Sequence, residues 1–222
     1  NNTCFHGNTS SAEGRELLNF GCEESYIGFL NRNVSSKYNL VDFKIRNGYH
    51  TIAAFSGSKE YGITSGNAEG FRKKLGFKSR FYFEELKEKL NSTVNHESPY
   101  LAVNDENMID SLFKESTKYS KVFAYGLTIN THTPFGLDET FIKQQKYLPV
   151  KNTLINYFDN NQYAFNQFYR ISELINYIFN QLDSNANNFD AVLIIGDHAY
   201  PDFRCKGLYN QTRVPYILIK KK

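Results

Sequence analysis

Apolar and polar positions along the chain follow two periods, and the two alternate. Ile52 to Phe55, Val122 to Thr128, Ala191 to Ile195 and Tyr216 to Ile219 are short, nearly continuous apolar runs, the pattern of buried strands. Asn104 to Lys118 repeats every three or four residues instead, with Met108, Ile109, Leu112 and Phe113 on one helical face. The longest such stretch is Tyr163 to Leu182, with Phe165, Phe168, Ile171, Leu174, Ile175, Ile178 and Phe179 as its apolar positions. A further helix is expected around Leu17 and Leu18. Strands that alternate with helices predict an α/β fold with a mostly parallel central sheet and helices on both faces. No internal repeat and no long Pro-, Gly- or Ser-rich linker divides the chain, so residues 1–222 read as a single domain.

Composition narrows the function more than the fold. With 41% apolar and 22% charged residues the chain is globular rather than disordered. The net charge of +3 is spread thinly apart from Lys220, Lys221 and Lys222, so no basic stripe is available to neutralise a nucleic-acid backbone. No apolar run approaches the roughly 20 residues of a membrane span, and no signal peptide opens the sequence. Cys4, Cys22 and Cys205 have neither CxxC nor zinc-finger spacing; one pair at most can bridge, Cys4 and Cys22 being nearest in sequence, and free thiols fit equally well.

Chemistry concentrates where apolar runs end. Val192 to Ile195 is followed by Gly196, Asp197 and His198, which puts a carboxylate and an imidazole just past a strand's carboxyl end. Asp oxygen and neutral His nitrogen suit zinc or manganese, although a turn-capping aspartate beside a loop histidine has the same sequence. Gly7 to Glu13 places three hydroxyl residues before the first helical pattern. Ser10 and Glu13 have capping-box spacing, which leaves Thr9 unexplained. A hydroxyl at a helix amino terminus faces backbone N–H groups that favour an anion, and a metal that lowers its pKa makes it a nucleophile toward phosphorus. His132, in Asn130-Thr131-His132-Thr133-Pro134-Phe135, again follows a strand, where it can bind an oxyanion or protonate a leaving group. His6 lies close to Thr9, whereas His50 and His96 sit in polar surroundings and are expected to be exposed.

Taken in order, Gly7 to Glu13, Gly48 to Ala53, Asn130 to Phe135, Ile195 to His198 and Arg213 to Ile217 resemble the sulfatase-like branch of the alkaline phosphatase superfamily. The resemblance is to lipoteichoic acid synthases and related phosphoglycerol or phosphoethanolamine transferases, and it covers nearly the whole chain. It implies that Thr9 is both nucleophile and metal ligand, that Asp197 and His198 complete the metal pair, and that His132 contacts the transferred phosphate. It implies a divalent metal (manganese or zinc, with magnesium as a further candidate), a phospholipid head-group donor and a glycan or lipid acceptor, with no nucleic acid as partner. It also implies a domain on the extracytoplasmic side of the cell membrane, held there by a region outside this sequence. A phosphodiesterase or phosphatase of the same fold would use the same residues, and a non-catalytic binding module would keep the fold alone.

The departures from the family pattern carry expectations of their own. Only eight residues precede Thr9, so the family's first strand and its acidic metal ligand are missing and the chain reads as a fragment, which weakens the expected metal site. Ser56 stands where the family often has a substrate-binding histidine. No cysteine or serine carries the proline and arginine spacing of a formylglycine sulfatase, which excludes that route.

Overall fold

In a computed structural model, residues 17, 39–59, 68–90, 101–130, 162–184, 187–196 and 216–221 are described; residues 68, 90 and 162–169 are described as backbone alone. Strand β1 (His50–Phe55) lies between β2 (Ser79–Phe81) and β3 (Val122–Leu127), and all three run parallel in the order β2-β1-β3. His50 pairs with Val122 and Phe55 with Leu127 on one side, and Ile52 pairs with Ser79 on the other.

The alternation of side chains along β1 divides the core in two. Ile52 and Ala54 join Leu86, Met108, Leu112, Ile178 and Leu182 on one face, while Ala53 joins Leu17, Val41, Phe71, Leu75 and Phe77 on the other. Helices α1 (Leu40–Arg46) and α2 (Ala68–Leu75) supply the second cluster. Helices α3 (Phe83–Leu90), α4 (Asp105–Ser116) and α5 (Gln162–Asp183) supply the first. A central strand covered on both faces needs no polar side chain, which is why β1 reads as one apolar run. The predicted α/β arrangement, a parallel sheet with helices on both faces, is the one observed.

Local chemistry explains where elements begin and how closely they pack. Asn39 caps α1 by accepting the Asp42 N–H at 2.8 Å, and Gly48, at φ +82°, makes the turn into β1. Gly126 lets α4 lie directly on β3, because a Cβ there would stand 2.9 Å from Leu112 Cδ1.

Three expectations need correction. Among the described residues, strands β4 (Ala191–Ile195) and β5 (Tyr216–Lys220) pair with each other, antiparallel, apart from the β2-β1-β3 sheet. They are also not buried on both faces. Val192, Ile194 and Ile219 turn toward the α4–α5 core, whereas Leu193 and Tyr216, 58% and 72% exposed, face outward. An apolar run sets the strand but not how many of its faces find a cover. In α5, likewise, Tyr177 and Leu182 pack inward while Ile171 and Phe179 are exposed, a small rotation of the face expected from periodicity. No helix among the described residues is long and apolar enough to cross a membrane.

Candidate functional site

The strand order makes a switch point. Helix α2, after β1, lies on one face of the sheet and α5, after β3, on the opposite face. In doubly wound sheets the region beyond the carboxyl ends of the strands at such a point is the usual ligand position. Phe55, Tyr82, Ala102 and Ile129, packed with Leu127, close the core beneath it.

The polar groups at this end are built from β1 outward. Past Phe55 the chain pairs briefly with residues 101–103: Val103 N–H donates to Ser56 O at 3.0 Å and Ser58 N–H to Leu101 O at 3.1 Å. Gly57 is required in this bridge, since a Cβ would come within 2.7 Å of the Phe55 ring. The pairing delivers Asp105, the first residue of α4, to the carboxyl ends of β1 and β3. Asp105 Oδ1 accepts the Ser56 hydroxyl at 2.6 Å and the Ile129 N–H at 3.2 Å, and Oδ2 accepts the Asn130 N–H at 3.2 Å. Asn130 Nδ2 in turn donates to Val103 O at 3.3 Å. Ser56 and Asp105 are both buried, at 0% and 3% exposure.

Burial pushes the Asp105 carboxyl up to about 6; the Ser56 hydroxyl and the two amides oppose that rise, and Glu106 adds to it. Close by, the buried Arg72 guanidinium lies 5.3 Å from the centre of the Phe55 ring and 5.5 Å from that of Tyr82. Burial raises the Tyr82 hydroxyl above its ordinary range, and the Arg72 charge works against that shift.

Thr9, His132, Asp197 and His198 lie outside the described residues, as do His6, His96 and the three cysteines. What is described is the framework that leads to them. Asn130 stands two residues before His132 in sequence, and Gly196, directly after β4, precedes Asp197. Asn188, just ahead of β4, donates its N–H to Ser116 Oγ at 3.0 Å and its side chain to Tyr119 O at 2.7 Å, both shortly ahead of β3. Strands β3 and β4 therefore start near one another and pack on the same core. Among the described residues, no three His, Cys, Asp or Glu side chains form a metal site. The oxygen and nitrogen donors of Thr9, Asp197 and His198 nevertheless suit a divalent cation of the zinc or manganese type.

His50 corrects an expectation. Its ring is half-buried rather than exposed, stacks on Tyr119 with centroids 3.5 Å apart, and shares a hydrogen bond with Ser79 Oγ at 2.8 Å. Burial, then the Lys78 charge, lowers its pKa, and it sits at the amino end of β1, opposite the strand's carboxyl end. Ser56, at the expected histidine position, spends its hydroxyl on Asp105 and so serves the framework. Asp105 was not visible in the sequence. Beside Asn104 and Glu106 it reads as one more acid favoured at a helix start, and only the pairing of β1 with β3 brings its donors together.

No protein-family model and no curated protein matches the chain. Solved structures do. The chain is similar to the lipoteichoic acid synthase LtaP from Listeria monocytogenes, at TM-score 0.58 and 20% identity, over 96% of this chain and 53% of that one. It is also similar to a protein in the alkaline phosphatase superfamily from Vibrio parahaemolyticus, at TM-score 0.55 and 17% identity, over 86% of this chain and 45% of that one. The fold is thus that of the sulfatase-like alkaline phosphatase superfamily, and the chain spans about half the length of these structures.

Proposed function

We propose that this chain is part of an enzyme that transfers a phospho-head group, phosphoglycerol or phosphoethanolamine, from a lipid donor to an envelope glycan or lipid. The observation that supports the reading is the likeness of this fold to a solved lipoteichoic acid synthase, with the residues expected to do the chemistry standing next in sequence after β3 and β4. In this reading the Thr9 oxygen attacks the phosphorus of the donor phosphodiester. The bond from phosphorus to the diacylglycerol oxygen breaks, that oxygen takes a proton, and the head group stays on Thr9. An acceptor hydroxyl then attacks the same phosphorus, loses its proton and returns the threonine hydroxyl. A divalent metal held by Thr9, Asp197 and His198 would lower the hydroxyl pKa and screen the phosphate charge. His132 binds a phosphate oxygen or protonates the leaving alkoxide. The domain works on the extracytoplasmic side of a membrane.

The test combines binding and turnover. Manganese and zinc are titrated into the protein and His198→Ala by calorimetry, and phosphatidylglycerol turnover is followed with and without a glycerol acceptor. Metal binding lost in His198→Ala, with turnover lost in Thr9→Ala and raised by the acceptor, is the expected result. Turnover that ignores the acceptor makes the protein a phosphodiesterase. Unchanged turnover in Thr9→Ala removes the nucleophile assignment, and neither binding nor turnover refutes the proposal.

A further inference from the structure

We propose that Asp105 is a positioning residue whose carboxylate ties the carboxyl end of β1 to that of β3, and that protonating it loosens the tie and switches off the proposed activity. The first half stands on geometry alone. One buried carboxylate accepts a side chain from the end of β1 and two successive amides beyond β3, a side-chain link placed just past the last backbone pairing of the two strands. The second amide belongs to Asn130, from which the chain runs on to His132. The switching half rests on the function proposed above.

The two oxygens differ in a way that makes the tie sensitive to a proton. Oδ1 accepts two hydrogen bonds and Oδ2 one, so the proton goes to Oδ2. There it confronts the Asn130 N–H with a donor in place of an acceptor, while the Ser56 and Ile129 bonds persist. The groups facing Asp105 from β1 and β3 are the neutral Ser56 hydroxyl and backbone amides, and the charged group set against it is Glu106 on its own helix. With burial as the dominant influence, the change falls near pH 6.

The experiment measures amide exchange and turnover on the same protein, the wild type being followed from about pH 7.5 to about pH 5 beside Asp105→Asn and Ser56→Ala. Exchange rates are corrected for the intrinsic effect of pH. Wild-type protection at Asn130 should fall about tenfold on acidification, while Asp105→Asn should lack it at both ends of the range. Ser56→Ala, which leaves the amides their acceptor, should keep it. With manganese and phosphatidylglycerol, Asp105→Asn should lower kcat about tenfold, change KM by less than about threefold, and lack the wild-type acidic limb. A variant that destroyed the fold would not follow this split, and the wild-type titration needs no variant. Equal Asn130 protection in wild type across the range overturns the switch, and equal protection in Asp105→Asn overturns the tie. Normal exchange behaviour without turnover in wild type refutes the proposed function and the switching of it, leaving the tie in place.

Discussion

Replacing Asp105 by asparagine removes a buried titratable group while keeping its size, so the pH dependence of the resulting stability change reports on burial of the charge. The folded carboxyl titrates at about 6 against an ordinary value of 3.8. At about 1.4 kcal/mol per pH unit, that gap corresponds to about 3 kcal/mol. The folded protein holds this proton more tightly than the unfolded chain. The contribution is therefore fully present below about pH 4 and is lost as pH rises through about 6. Asparagine titrates nowhere, so wild type should gain about 3 kcal/mol on Asp105→Asn between about pH 7 and about pH 4. All other carboxylates cancel in the difference. Urea unfolding of both proteins at four pH values in this interval measures it, with m-values checked for a common unfolded state. A difference that stays within about 1 kcal/mol across the interval would refute the reasoning, because it would mean that water reaches the carboxylate and no charge is buried.

Leu86, at 0% exposure in the α3–α4 core, should cost about 2–5 kcal/mol when replaced by alanine, read as a lower urea midpoint at unchanged m. Glu115 behaves oppositely to Asp105. Burial pushes its carboxyl up, but hydrogen bonds from Lys118 at 2.7 Å and Lys89 at 3.0 Å outweigh burial and hold it below the ordinary range. Its contribution is present above the ordinary carboxylate pKa and lost as pH falls through the lowered one. Glu115→Gln should thus destabilise at neutral pH by about 1 kcal/mol, since the lysines keep much of their water, and little in strong acid. Thermal unfolding of both proteins at two pH values checks this.

The sequence by itself determined the elements whose signals are local. The unbroken apolar runs gave β1, β3, β4 and β5 to within one or two residues, because a strand needs no more than consecutive side chains that tolerate burial. The three-to-four spacing of Met108, Ile109, Leu112 and Phe113 gave α4, and the long repeat ending at Leu182 gave α5. Short elements escaped. Helix α1 offers only seven residues and one buried side chain, Val41, and its cap at Asn39 is legible only once the helix is known. Strand β2, three residues with none fully buried, carries no apolar period at all.

Tertiary structure decided what depends on neighbours distant in sequence. Nothing along Ala191 to Ile195 says that the partner is antiparallel β5 or that Leu193 faces outward, since pairing and cover come from other segments. Nothing around Asn104-Asp105-Glu106 marks the middle acid as the group that joins two strands, because its three donors lie at positions 56, 129 and 130. Nothing in Ser56 alone shows its hydroxyl to be committed to that acid rather than open to a ligand. A residue's type and period are properties of the chain, whereas its desolvation and its hydrogen-bond partners arise only when remote segments meet, and the pKa of Asp105 depends on both.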